Sequence, residues 1–213
     1  MSAEKLDLEK KYKDEFDKLF SRLEPLLPQL ERGYAMPKII EKNAILFVGL
    51  NPSYDPGSLG ETDRYSHFYH LDQEAGRYFK KFREFGSAEH PWTHLDLLAI
   101  RETKQNKVRE IETNNLRFIW DNLELSKKIL EASDPKVIVV ANTLARKYIG
   151  KDRFKDHSKK EHNVWMGYDF GKIQNDGTFR IGNKDSNLKG IPVFFTSMLS
   201  GQRALDLGSF ERL

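Results

Sequence analysis

Ala44-Ile45-Leu46-Phe47-Val48 is a short continuous apolar run that follows the charged Glu41-Lys42 and ends at Gly49. Such a run suggests a strand buried on both faces, as in a parallel sheet. Three others look alike: Leu95–Ile100, Val137–Ala141 behind the turn Asp134-Pro135, and Ile191–Thr196 after Gly190. Helical patterns separate them. Ala75–Phe85 is one, and Asn114–Ala132 is another, with Leu116, Ile119, Trp120, Leu123, Ile129 and Leu130 at helical spacing; Leu144–Ile149 is the third. Strands alternating with helices imply βαβ units with right-handed crossovers. The expected fold is therefore α/β: a three-layer αβα sandwich around a short, mostly parallel sheet of about four strands.

Outward from this centre the pattern changes. Between Lys5 and Leu30 the apolar positions Leu6, Leu8, Tyr12, Phe16, Leu19, Phe20, Leu23, Leu26, Leu27 and Leu30 recur every three or four residues, predicting one amphipathic helix or two. Pro25 and Pro28 disturb their end, so residues 1–40 are expected to form an N-terminal helical extension. Asn163–Ile181, with Trp165, Tyr168, Phe170, Ile173, Phe179 and Ile181 around Asn175-Asp176-Gly177, reads as a β-hairpin. No repeat and no Pro/Gly/Ser-rich linker divides the chain, so residues 1–213 are expected to be a single domain.

Composition excludes several classes of function. The absence of cysteine removes thiolate nucleophiles, disulfides, iron–sulfur clusters and Cys-based zinc sites. No stretch approaches the roughly 20 apolar residues of a membrane span. Met1–Lys11 is charged and has no apolar signal region, so a cytoplasmic protein without membrane contact is expected. The net charge of +3 and the pI near 8.9 are too mild to identify a nucleic-acid binder. An argument for DNA must come from local sites.

In open parallel sheets ligands bind beyond the carboxyl ends of the strands. Two of the loops expected there stand out. Gly49-Leu50-Asn51-Pro52-Ser53-Tyr54 leaves the first run through a Gly-x-Asn-Pro turn, although Asn-Pro after a strand is also an ordinary turn signal. Thr196-Ser197-Met198-Leu199-Ser200-Gly201-Gln202-Arg203 is small and polar around apolar residues, and precedes a helical pattern at Ala204–Leu213.

These motifs resemble those of the uracil-DNA glycosylase superfamily, closest to its mismatch-specific, thymine-DNA and single-strand-selective branches. The resemblance covers Ile45 to Leu213 in the right order. It implies that Asn51 is the catalytic, water-positioning residue and that Phe68, in His67-Phe68-Tyr69-His70 ahead of Arg77-Tyr78-Phe79-Lys80, stacks on a flipped base. Ser197-Met198-Leu199-Ser200 matches the second motif, with Leu199 as the wedge filling the vacated stack. Leu50, Phe68, Asp96 and Phe195 are the expected base-binding residues. Pro52, Ser53, Ser197, Met198, Leu199, Ser200, Gly201, Gln202 and Arg203 are the expected DNA contacts. Two positions depart from the family: Phe195 or Thr196 stands where a His or Asn is usual, and Asp96 where the strictest members carry an Asn. An ionised Asp accepts hydrogen bonds but cannot replace an amide donor.

The implied activity is hydrolysis of the N-glycosidic bond of a damaged or deaminated base, uracil or a relative, in base excision repair. The base would be flipped out of DNA, with water as nucleophile, no cofactor and no metal, by a monomer. No lysine occupies a motif position, so no Schiff-base step is expected. Other readings stand beside this one. Phe68 is equally a core aromatic, Leu199 a staple for the following helix, and Asp96 a buried structural carboxylate. His67 and His70 have the spacing of a metal pair without supporting ligands. Lys151–Lys160 is either a solvated loop or a phosphate-contacting patch. The alternatives in function are a catalytically silent relative that grips single-stranded or damaged DNA, and a relative acting on nucleotides or nucleosides.

Overall fold

The computed structural model describes residues 4–21, 32–54, 66–72, 77–86, 90–151, 154–155, 158, 161–162 and 165–197. In chain order the elements are β1 (Lys5–Asp7), α1 (Leu8–Ser21), β2 (Ala35–Pro37), β3 (Ile39–Glu41), β4 (Ile45–Gly49), β5 (His67–Tyr69), α2 (Arg77–Phe85), β6 (Trp92–Asp96), α3 (Gln105–Asn114) and α4 (Leu116–Ala132). They continue with β7 (Val137–Val140), α5 (Thr143–Ile149), β8 (Phe154–Lys155), β9 (Glu161–His162), β10 (Phe179–Arg180) and β11 (Pro192–Phe195).

The apolar runs pair with one another. The largest sheet has the order β10-β11-β7-β4-β6 and is parallel except for β10, which lies antiparallel on β11. The protein is thus α/β with a mostly parallel sheet. Alternation along each strand sorts the side chains. Leu46, Val48, Leu95, Ile138, Val140 and Val193 join one large core with residues of α1, α3, α4 and α5. Phe47, Val139 and Ala141 form a second cluster with Phe79 and Phe82 of α2. Because four neighbouring strands run the same way, the loops after β4, β6, β7 and β11 leave the sheet at one rim.

Several expectations need correction. The sheet has five strands rather than four, the fifth being β10. The turn of the expected hairpin is present, with Gln174 N–H donating to Thr178 O at 2.7 Å and Gly177 at φ 80, and Phe170 bridges Ile181. Its second arm, however, makes its ladder with β11. The third layer of pattern to shift is Leu95–Ile100: the strand is Trp92–Asp96, and Leu97–Ile100 leaves the ladder while staying buried. That segment is held by Leu97 N–H on Gly49 O (3.2 Å), Leu98 N–H on Leu50 O (2.8 Å) and a bridge between Ile100 and Tyr34. Its apolarity records burial rather than strand.

The N-terminal region is not a purely helical extension. β1 pairs with β3, β2 pairs in parallel with β5, and α1 starts at Leu8, burying Leu8, Tyr12, Phe16 and Leu19 in the large core. Three-residue strands carry no readable period, so their partners define them. Pro25 and Pro28 lie outside the described residues. α3 gives no readable helical period in the sequence, since only Val108 and Ile111 of its ten residues are buried. The short α5 is held at both ends: Asn142 Oδ1 accepts from the amides of Leu144 (2.8 Å) and Ala145 (3.2 Å), and Gly150 closes it at φ 105.

Candidate functional site

The Gly-x-Asn-Pro turn leaves β4 at the rim and is bolted to the loop that leaves β6. Asn51 Nδ2 faces three carbonyls: Pro52 O at 3.0 Å, Ile100 O at 3.1 Å and Glu102 O at 2.6 Å. Carbonyls only accept, so the amide nitrogen must be the atom that meets them. This fixes the side chain and leaves Oδ1, to which no described residue donates, as the atom with unused acceptor capacity. Glu102 N–H closes the clamp by donating to Pro52 O at 3.0 Å.

Behind the clamp lies a charged cluster. Glu102, 7% exposed, accepts from Arg32 Nη1 at 2.9 Å and from the Lys104 amide at 2.9 Å. Arg101, only 1% exposed, donates to Arg32 O at 2.9 Å. Both guanidinium groups lie over the Tyr54 ring, at 4.1 Å for Arg32 and 5.3 Å for Arg101. Such a bonded ion pair holds loop geometry well, because removing Arg32 would strand the buried Glu102 carboxylate.

On the α2 side of the same strand ends the polar groups are barely bonded. Asp96 pairs with Gly49 across the β6–β4 ladder, and a Cβ on Gly49 would meet Asp96 Oδ1 at 2.1 Å. Only glycine fits there. His94 Nε2 lies 3.8 Å from Asp96 Oδ1 and 3.3 Å from the Tyr78 hydroxyl, while His94 Nδ1 is buried without a partner. Burial lowers the His94 pKa to about 3 and raises that of Asp96 to about 8. The two are therefore neutral neighbours at pH 7 and not an ion pair. Tyr78 is raised too, first by burial and then by Asp96, so it stays a phenol.

The remaining expected residues are distributed as follows. Leu50 is buried in the large core, so it offers the rim its backbone. Phe68 is half-buried, edge-on to Phe16 (6.2 Å) and Tyr34 (5.7 Å); Tyr34 bridges Ile100, whose carbonyl holds Asn51. Asn51 and Phe68 are thus linked through two intervening residues, three contacts in all. Phe195 sits edge-on to Phe170 (5.0 Å) and Phe179 (5.5 Å), in an aromatic cluster with the Lys151 ammonium 4.2 Å from the Phe179 ring. Pro52 is half-buried, Ser53 is exposed, and Ser197 is exposed beyond the end of β11. Met198, Leu199, Ser200, Gly201, Gln202 and Arg203 lie outside the described residues.

Sequence reasoning missed Arg32, Tyr78, His94, Arg101 and Glu102. Arg101-Glu102 directly behind the run Leu97–Ile100 was a usable signal, because charges abutting a buried segment need partners. Nothing in spacing links Arg32 to Glu102. Among the described residues, no group of three or more His, Asp or Glu side chains is placed to hold a metal ion, and no helix is long and apolar enough to cross a membrane. No protein-family model, curated protein or solved structure matches this chain.

Proposed function

We propose that this chain is a monofunctional DNA glycosylase with an αβα three-layer architecture, a cytoplasmic monomer that hydrolyses the N-glycosidic bond of a damaged or deaminated base flipped out of DNA. The observation that carries the reading is the Asn51 clamp. An asparagine whose two N–H groups are shared among three carbonyls has a fixed oxygen with no donor among the described residues, suited to hold a water by its O–H. Asparagine has no proton to exchange near neutral pH, so it orients water rather than acting as a strong base. Flipping costs a few kcal/mol, least at damaged or mismatched pairs, and stacking on an aromatic such as Phe68 would offset about 1–3 kcal/mol.

The test uses labelled oligonucleotides carrying uracil, hypoxanthine, xanthine or a G·T mismatch, followed by alkali. Strand breaks are expected with at least one substrate, and none with any would reject the enzyme. Asn51→Ala should lower excision by about a hundredfold or more while DNA binding stays nearly unchanged. Full activity in that variant removes Asn51 from the mechanism. Binding should weaken steeply as salt rises if the phosphate backbone is gripped.

A second reading is favoured by Phe195, whose ring is absorbed in the Phe170–Phe179 cluster and offers no polar group to the base. It is a silent relative that binds DNA without cleaving it. Salt-sensitive binding with no alkali-labile product would select it.

A further inference from the structure

We infer that Asp96 is the acid of this site, donating a hydrogen bond to an exocyclic oxygen of the departing base and passing its proton there as the glycosidic bond breaks. The inference rests on the glycosylase reading and adds the group that this reading lacks. Asn51 has no acidic proton, and the Phe195 ring at the end of β11 packs on Phe170 and Phe179 and has no proton to give. Hydrolysis nevertheless pushes negative charge onto the leaving base, and a nearby proton donor lowers that barrier.

Geometry singles out Asp96. It ends β6, one strand across from Gly49 and two residues before Asn51 in register. Strand rise and spacing put it roughly 8 Å from Asn51, about the reach from a sugar carbon to the far edge of a base. The residue is 4% exposed, and among the described residues nothing donates a hydrogen bond to its carboxyl. A buried polar group with no protein partner is costly, and at a strand-end rim it is a group left for a ligand. Among the described residues the titratable groups facing it are few. From β6 comes His94, kept neutral by burial; from α2 comes Tyr78, kept a phenol; β4 contributes only the hydrogen of Gly49. No cation among them draws the proton off, and burial holds the carboxyl protonated up to about pH 8. A neutral carboxylic acid is also the only form of Asp that can donate.

The step balances. The water oxygen held by Asn51 bonds to the anomeric carbon, and the carbon–nitrogen bond breaks with its electron pair moving onto the base. The Asp96 proton joins the base oxygen, and the proton shed by the water returns to the carboxylate. The products are a neutral base and an abasic sugar. The substrate class is a lactam base, whose departing charge gathers on a carbonyl oxygen and whose adjacent ring N–H meets the second carboxyl oxygen: uracil, hypoxanthine or xanthine rather than adenine or cytosine.

Single-turnover excision from pH 6 to 9.5 with the best lactam oligonucleotide tests this in the wild type and Asp96→Asn. Wild-type rate should fall about tenfold per pH unit above pH 8, while Asp96→Asn, which donates but cannot transfer a proton, should be ten- to a hundredfold slower at pH 7 and flat. Identical profiles in the two proteins overturn the inference while leaving the glycosylase intact. Carboxyl carbon NMR without DNA gives an independent readout, with Asp96 assigned by its loss in the variant. Its titration near pH 8, and a shift of that signal on adding free uracil, are expected; titration below pH 5, or no response to uracil, overturns it. If the wild type excises nothing, the glycosylase reading fails, and the same two NMR results still decide whether Asp96 is a proton-bearing base contact.

Discussion

Two carboxyl side chains six residues apart, Asp96 and Glu102, are both nearly buried at the same strand-end rim, yet their surroundings differ in kind. Glu102 has a backbone amide and a guanidinium that itself lies over the Tyr54 ring. Asp96 has a glycine, a neutral histidine and a phenol. The first arrangement fixes the loop that clamps Asn51. The second leaves hydrogen-bonding capacity unspent beside a histidine whose ring packs on Phe79 and Phe82. Satisfied polar groups rigidify a loop and unsatisfied ones lower stability, so one rim carries both a bonded side and a side that the described residues leave unbonded.

The comparison can be broken most forcefully at Glu102. Glu102→Ala strands the Arg32 guanidinium and frees the Lys104 amide, and should cost about 2–3 kcal/mol by chemical denaturation, less than for a wholly buried pair because Arg32 is partly exposed. A loss under half a kcal/mol would mean that the pair is decorative. Next comes Gly49→Ala, which drives a methyl into Asp96 Oδ1 and should cost about 1–3 kcal/mol. Much of that loss should return in the double variant Gly49→Ala/Asp96→Ala, and strict additivity would contradict the contact.

The smallest effect is a pH slope. Folded Asp96 keeps its proton to about pH 8 while the unfolded residue loses it near the ordinary value, so the folded state binds more protons and stability falls as pH rises toward 8. His94 acts oppositely. Its folded pKa is about 3, so below pH 6.5 only the unfolded state is protonated and stability falls as pH drops. Between pH 4 and 6.5 the two slopes cancel, and between 6.5 and 8 Asp96 acts alone. Relative to Asp96→Asn, wild-type stability should therefore drop by about 1 kcal/mol per pH unit from 6.5 to 8, and the variant should show the uncovered acid-side loss. Parallel curves for the two proteins would place Asp96 in contact with water.

Legibility in the sequence followed the range of the interaction. The runs at 44–48, 137–141 and 191–196 became β4, β7 and β11 because strands buried on both faces must be apolar throughout, whatever their neighbours. The run at 95–100 misled for the same reason: its last four residues, Leu97–Ile100, are buried against Gly49, Leu50, Ala35 and Tyr34 without being a strand, while β6 begins earlier and hides a His and an Asp among its five residues. Asn51 could be singled out from its turn motif. Its clamp could not, because the carbonyls of Ile100 and Glu102 lie 49 and 51 residues away.

What the sequence determined by itself was local: hydrophobic runs, helix periods, the turn at Asn175-Asp176-Gly177 and the residue types at the ends of the strands. Tertiary structure alone decided which polar atoms found partners. Arg32 reaches Glu102 across 70 residues, the N-terminal strands pair with partners that no local pattern names, and Asp96 is left beside Gly49 with no donor among the described residues. Backbone preference and periodicity act over a few residues, whereas desolvation and pairing of charge depend on everything the folded chain brings within a few ångströms.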